Sequence, residues 1–307
     1  MCLPDTRSGS FRKGSTHCII GRQFRIEGYA DEVTTEWFES QQQSHAFVLI
    51  RSYAYSMIGS ILMSLQSSGL ELTALAMVHL NDAEVRQFGV MCESADCPTV
   101  VQGMTADASV ALKLFGEDAI ARCSRLIESV EAPSDGRCMH DRLVYVSKSP
   151  VHAEREFSFF FGPSRFARTA IFRHCALCIV KPHAVNPHSG AVIDAILKED
   201  FEISALQLAT LSLQKVRNLL EVYKGVITDF SETCTELASG ASLLIQVRQQ
   251  EVVSKLRRLV GPLDPAIAKQ VAPASLRARF GLDRARNAVH CTDLEDDGVR
   301  ECEYFFK

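Results

Sequence analysis

The residues best able to do chemistry lie near the end of this 307-residue chain. There Arg286-Asn287-Ala288-Val289-His290-Cys291-Thr292-Asp293 brings together a cation, an amide, an imidazole, a hydroxyl and a carboxylate. Neutral imidazole attacks well near pH 7, and a phosphoryl group carried on it stays reactive enough to be passed on. A histidine met alone is most often an ordinary hydrogen-bonded residue, so His290 draws its weight from its surroundings. The 11 cysteines are scattered through apolar segments and read as small hydrophobic thiols. Cys175-x-x-Cys178 lies inside the apolar run Cys175-Ala176-Leu177-Cys178-Ile179-Val180, with no second Cys/His pair at ligand spacing, which favours a buried strand over a zinc or redox site. No glycine-rich phosphate loop is present.

These side chains need a scaffold, and the chain is long enough for two domains. A hydrophobic content of 47% and a charged content of 23% describe an ordinary globular composition. A net charge of −4 with no block of Lys and Arg argues against a nucleic-acid surface. No run reaches membrane-spanning length, and Met1-Cys2-Leu3-Pro4-Asp5 has no signal or lipidation layout, so a cytoplasmic setting without a membrane is expected.

An internal repeat organises the chain. At an offset of about 131 residues, Leu70-Glu71-Leu72-Thr73-Ala74-Leu75 matches Phe201-Glu202-Ile203-Ser204-Ala205-Leu206 in chemical type, which implies a duplicated domain. Ala46-Phe47-Val48-Leu49-Ile50-Arg51 likewise mirrors Ala176-Leu177-Cys178-Ile179-Val180-Lys181, and Gly59 mirrors Gly190. In the second copy, 175–180 reads as a strand, Ile193, Ile196 and Leu197 as a helix, and Phe201, Ile203 and Ala205 as a strand. Val216, Leu219, Leu220 and Tyr223 share one helical face, 242–247 is a short strand, and Val252, Leu256 and Leu259 mark a further helix. This order predicts an α+β fold of two ferredoxin-like α/β sandwiches in tandem, each sheet covered on one face. Turn formers and charge place a linker at 162–174, between a unit at 44–161 and a unit at 175–307. Residues 1–43 form an N-terminal arm. Its first 18 residues are expected to be mobile, and Phe24-Arg25-Ile26-Glu27-Gly28-Tyr29 is expected to be a lone strand that pairs elsewhere.

The segment around His290 resembles the signature of nucleoside diphosphate kinases around their phosphorylated histidine. The likeness runs back through Leu276-Arg277-Ala278-Arg279-Phe280-Gly281, forward to Glu301, and includes Val180-Lys181-Pro182-His183-Ala184, so it spans the second copy. It implies ping-pong exchange of a γ-phosphate between nucleoside triphosphates and diphosphates, with His290 as nucleophile, Glu301 hydrogen-bonded to its ring and Thr292 assisting. Thr292 and Glu295 have the spacing of a capping box, which would open a helix carrying Glu301. Lys181, Tyr223, Arg257, Arg277 and Asn287 match the family's phosphate-contacting positions, where cations and donors stabilise the equatorial oxygens. Phe230 matches the exposed aromatic on which the base stacks, and Mg2+ arrives on the phosphates of ATP or GTP without a protein metal site of its own. Leu263 stands where the family offers a threonine hydroxyl. The loss of one neutral hydrogen bond, about 0.5–1.5 kcal/mol, weakens activity without abolishing it.

The first copy keeps the scaffold and loses this chemistry. Arg51-Ser52-Tyr53 replaces the lysine turn, Leu143-Val144-Tyr145-Val146 takes the place of the histidine segment, and Arg155-Glu156 parallels Arg300-Glu301. His140 and His152 match nothing and read as ordinary polar residues. A degenerate copy fused to a competent one resembles the two-domain ciliary branch of the family, and the stretch from Gly21 to Asp31 resembles the closing strand of a small module ahead of its tandem domains. Two readings follow from that resemblance. One is an enzyme acting through the second unit. The other is a mainly structural protein of the cilium or flagellum, bound inside the doublet microtubules of the axoneme and meeting tubulin and other axonemal proteins. The two copies are expected to pack on each other, so that one chain mimics a dimer.

Overall fold

The computed structural model describes residues 16–19, 22–25, 27–28, 30–31, 43–91, 104–130, 143–162, 166–226 and 229–307. His140 lies outside them. Strands β1 (Thr16–Ile19) and β2 (Arg22–Arg25) pair antiparallel, with Thr16 opposite Arg25. Residues 1–15, part of the stretch expected to be mobile, lie outside the described residues, and the strand expected at 24–29 starts and ends earlier, at Arg22–Arg25, and finds its partner next to it in sequence.

The first unit runs through β3 (Gln43–Ile50), α1 (Ile58–Ser67), β4 (Glu71–Val78), α2 (Asp82–Met91), β5 (Ser109–Glu117), α3 (Ala119–Val130), β6 (Val144–Val146) and α4 (Pro150–Phe160). The second repeats the order with β7 (Cys175–Val180), α5 (Pro182–Lys198), β8 (Glu202–Thr210), α6 (Leu213–Leu219), α7 (Phe230–Leu237), β9 (Ala241–Arg248), α8 (Val252–Val260), α9 (Pro265–Val271), α10 (Leu276–Phe280), β10 (Val289–Cys291) and α11 (Asp297–Phe306). Capping follows the sequence. Ser149 accepts a hydrogen bond from the His152 amide with Pro150 opening α4, Ser212 accepts from Lys215 at α6, and Asp264 accepts from Ala266 at α9. The helical face expected to reach Tyr223 is broken: α6 ends at Leu219 and a 3-10 turn, Glu221–Tyr223, follows.

The two copies share one 8-stranded sheet in the order β10-β7-β9-β8-β4-β5-β3-β6, which reads the same from either end once repeat equivalents are matched. At its centre β4 and β8 pair antiparallel with Ala76 opposite Gln207, two residues that are repeat equivalents. A pseudo-twofold axis therefore passes between them, as in an isologous dimer. The register shifts fall at equivalent places too, between Leu72 and Ala74 and between Ile203 and Ala205. Each shift is met from the other copy: Asn186 Oδ1 accepts from the Leu72 amide at 2.7 Å, and the Tyr55 hydroxyl donates to the Ile203 carbonyl at 3.2 Å. Helices α1 and α5 cross over the seam through the two glycines that the repeat aligned. A Cβ on Gly59 would lie 2.3 Å from the Asp194 nitrogen, and one on Gly190 would lie 2.4 Å from that of Met63. Pro187 lies inside α5 near this crossing, and the Gln66 amide fits beside it, donating to Val185 O at 2.8 Å and accepting from Gly190 N at 3.0 Å.

Helices cover both faces of the sheet, not one. On one face Ala176, Cys178 and Val180 join Ile193, Ile196 and Leu256, and the same cluster continues through Ile61, Leu62 and Leu65 of the first unit. On the opposite face Cys175, Leu177 and Ile179 pack under Val216, Cys234, Leu237, Cys302 and Phe306, and Phe47 and Leu49 pack under Phe88, Phe157 and Phe160. β7 is buried at every position, as a strand covered on both sides must be. Among the described residues no helix is long and apolar enough to cross a membrane.

Candidate active site

β10 is a three-residue strand at the sheet edge, paired antiparallel with β7 so that His290 stands opposite Ile179. Alternation sends Val289 and Cys291 into the core under α5 and α8 and leaves His290 half-buried on the other face. The turn into β10 is strained, since Ala288 sits at φ 69°, in the left-handed region. A backbone amide and a guanidinium hold it. The Lys181 amide donates to the Ala288 carbonyl at 2.9 Å, and Arg277 of α10 donates through Nε to Val289 O at 3.2 Å and through Nη1 to Gly261 O at 2.8 Å.

Lys181 follows β7 directly and caps α5, and its side chain is 2% exposed. Its Nζ donates to Ala285 O at 2.6 Å. Burial, and then the Arg277 charge, push its pKa down to about 7. The same causes act on His290: burial first, then Lys181 and Arg277, push its pKa down to about 3, so the imidazole is neutral throughout the physiological range. His290 Nε2 is enclosed without a partner, as are Asn287 Oδ1 and Glu301 Oε1. Buried polar atoms left unmet are uncommon. Asn287 is otherwise fixed by its Nδ2, which donates to the Leu263 carbonyl at 3.0 Å.

Thr292 and Glu301 form a buried pair: the threonine hydroxyl donates to Glu301 Oε2 at 2.6 Å and accepts from the Leu177 amide at 2.9 Å. The expected bond from Glu301 to the His290 ring is not formed, because one carboxylate oxygen is taken by Thr292 and the other has no donor. Burial raises the Glu301 pKa to about 7 against the Thr292 hydrogen bond, with Asp297 and Asp293 adding to the rise. The helix expected to open near Thr292 opens at Asp297, with Asp296 before it. The Thr-x-x-Glu spacing misled because the Thr292 hydroxyl is spent inside the core.

Tyr223 stands edge-on to His290, with ring centroids 5.9 Å apart. Burial, followed by the Asp293 carboxylate, pushes its phenol up. Arg257 is exposed and meets Asp293 through Nε at 3.4 Å and through Nη1 to the backbone oxygen at 3.1 Å. Phe230 opens α7 half-buried against the Cys234 and Leu237 cluster, so it is not the freely exposed ring expected. The structure thus gathers Lys181, Arg277, Asn287, Tyr223, Thr292 and Glu301 around His290, with Arg257 joined through Asp293. Sequence reasoning passed over Asp293, which lay within the motif without a role, and over the ion pairs Arg284–Asp229 at 2.9 Å and His183–Glu236 at 2.6 Å. Neither pair has a sequence signal, because its members lie on separate elements.

The first unit carries a counterpart. Tyr145 occupies the place of His290, opposite Leu49 in β3 as His290 is opposite Ile179. Its hydroxyl donates to Glu156 Oε1 at 2.5 Å while Ser147 donates to Glu156 Oε2 at 2.8 Å. The chemistry is therefore lost in part only: the buried hydroxyl–carboxylate pair is kept and the imidazole is gone.

The comparisons with known proteins point to a phosphotransferase-type family. Residues 174–307 match the family model described as nucleoside diphosphate kinase. Nucleoside diphosphate kinase homolog 7 of Rattus norvegicus is 34% identical over 306 residues, an alignment covering 94% of this chain and 77% of the rat protein. The chain belongs to the nucleoside diphosphate kinase family, and its likeness to homolog 7 extends across both units. A nucleoside diphosphate kinase of Aquifex aeolicus is 30% identical over 131 residues, covering 42% of this chain and 92% of that protein. A crystal structure of the Aquifex aeolicus enzyme covers 44% of this chain and 95% of its own, with a TM-score of 0.42.

Proposed function

We propose that the unit at 175–307 exchanges γ-phosphoryl groups between nucleoside triphosphates and diphosphates through phospho-His290. The observation that carries this reading is an imidazole kept neutral by burial, with the buried Lys181 and Arg277 side chains acting on it, at a strained strand edge. With Nε2 enclosed, Nδ1 is the nitrogen that attacks. A bond forms from Nδ1 to the γ-phosphorus as the bond from phosphorus to the bridging oxygen breaks, and the diphosphate leaves with that electron pair. A second diphosphate reverses the step. Lys181, Arg277, Arg257, Tyr223 and the Asn287 amide are the groups that would orient the phosphates, and Phe230 the base. Mg2+ fits as a companion of the phosphates: Arg277 and Arg257 are cationic, and Lys181 is so when protonated, which suits an anionic nucleotide bringing its own metal. When bound, the ion would neutralise phosphate charge.

A second reading is supported by the first unit, which keeps its fold while a tyrosine replaces the nucleophile. In it the protein is mainly structural, in the axoneme of a cilium or flagellum, contacting tubulin of doublet microtubules. One experiment tests the first reading and bears on the second. Protein is incubated with γ-labelled ATP and Mg2+ beside His290→Ala, and acid-labile label and its discharge by GDP are scored. Label that depends on His290 and moves to GDP is expected. A folded protein without label would sink the kinase reading and leave the structural one.

A further inference from the structure

The contacts around Lys181 close into a ring through an element with no assigned role in phosphate binding. Helix α7 is tied at its start by Asp229 to Arg284, at 2.9 Å, in the loop whose Ala285 carbonyl receives Lys181 Nζ at 2.6 Å. At its other end Glu236 reaches the first turn of α5. Its Oε1 accepts the His183 amide at 3.4 Å and pairs with His183 Nδ1 at 2.6 Å, both side chains being 14% exposed. His183 lies two residues after Lys181, so the ring runs from α7 through Glu236 and His183 to Lys181, on to Ala285 and Arg284, and back through Asp229 to α7. A carboxylate at the N-terminus of a 17-residue helix also satisfies an amide that has no intrahelical partner.

We propose that His183 and Glu236 form a positioning pair that fastens α7 to the Lys181 turn and thereby sets how tightly the second unit holds the phosphates of a nucleoside diphosphate or triphosphate. The inference rests on the nucleotide reading above. The pair acts through Lys181 in two ways. The His183 contact fixes where the turn sits relative to α7. The Glu236 charge helps Lys181 keep its proton against burial and Arg277, with Asp283 and Cys234 acting in the same sense as Glu236. The Lys181 charge acts in turn on His290. His183 itself faces Glu236 and His188.

The test measures MgADP affinity by calorimetry between about pH 6 and 9, the range in which Lys181 titrates, and in parallel the exchange kinetics. His183→Ala is expected to weaken MgADP about five- to tenfold and raise KM with little change in kcat, since a ground-state contact is lost. Glu236→Gln is expected to weaken MgADP similarly and also to move the alkaline loss of affinity to lower pH, because Lys181 loses a neighbouring negative charge. Glu236→Asp, which keeps the charge on α7, restores the pH limb, which no purely structural role would do. Should Glu236→Gln fail to fold, His183→Ala and Glu236→Asp carry the test. Wild-type affinity and an unmoved limb in folded variants would overturn the pair. A wild type that binds MgADP and forms no phosphohistidine would sink the kinase reading alone.

Discussion

The two units build one device twice and finish it differently. In each, a hydroxyl after the short edge strand joins a carboxylate on the last helix: Ser147 with Glu156 at 2.8 Å, Thr292 with Glu301 at 2.6 Å. Each hydroxyl also accepts an amide of the neighbouring strand, from Phe47 at 3.0 Å or Leu177 at 2.9 Å. The turn is held alike, Arg51 N to Leu143 O at 3.1 Å and Lys181 N to Ala288 O at 2.9 Å. The difference lies in the second carboxylate oxygen. Tyr145 fills it in the first unit, and the Phe88 ring closes against Tyr145 at 5.2 Å. In the second unit that oxygen, Glu301 Oε1, has no partner. Satisfied, the device is a piece of core; left open, it is a site.

The largest expected effect breaks the open half. His290→Ala should lower nucleotide exchange by at least about a thousandfold, the scale for losing a nucleophile, with the thermal midpoint nearly unchanged.

Next comes the buried charge. Folding raises the Glu301 pKa from 4.5 to about 7, so the folded protein holds this proton more tightly than the unfolded chain does. Its stabilising contribution is full below about pH 4.5 and is lost as pH rises through about 7, a swing of about 3 kcal/mol. Glu301→Gln should flatten that fall in urea midpoints taken at pH 5 and pH 8, and a fall of unchanged size would show that Glu301 is not the group responsible.

Tyr145→Phe tests the closed half. It strands Glu156 Oε1 and should cost about 1–3 kcal/mol of stability while leaving exchange by the second unit intact. An unshifted midpoint would mean that the tyrosine hydroxyl does not hold the first unit shut.

The smallest effect is a gain: Leu263→Thr should raise kcat/KM about three- to tenfold by restoring one hydrogen bond to phosphate. Unchanged kcat/KM would mean that the loop near Asn287 does not reach the phosphates.

Much of the frame was legible because it is local. The repeat and the strand runs are written in neighbouring residues. The alignment of Gly59 with Gly190 was legible as a repeat match, whereas the helix crossing that needs both glycines emerged only from the packed structure. The unbroken apolar run at 175–180 already signalled a strand covered on both faces, and the one-face expectation underused it. Spacing misled where burial decides: Thr292 and Glu295 have capping-box spacing, yet Thr292 is fully buried and serves the core.

By itself the sequence determined the duplication, the order of elements, the family and the set of candidate residues around His290, since each follows from residue type and short-range pattern. Only the tertiary structure decided that the copies share one sheet about a pseudo-twofold axis. It also decided that Glu301 bonds Thr292 and not His290, and that His183 meets Glu236. Those outcomes depend on which distant groups the packed core brings within hydrogen-bond reach, and on how far burial shifts their charge.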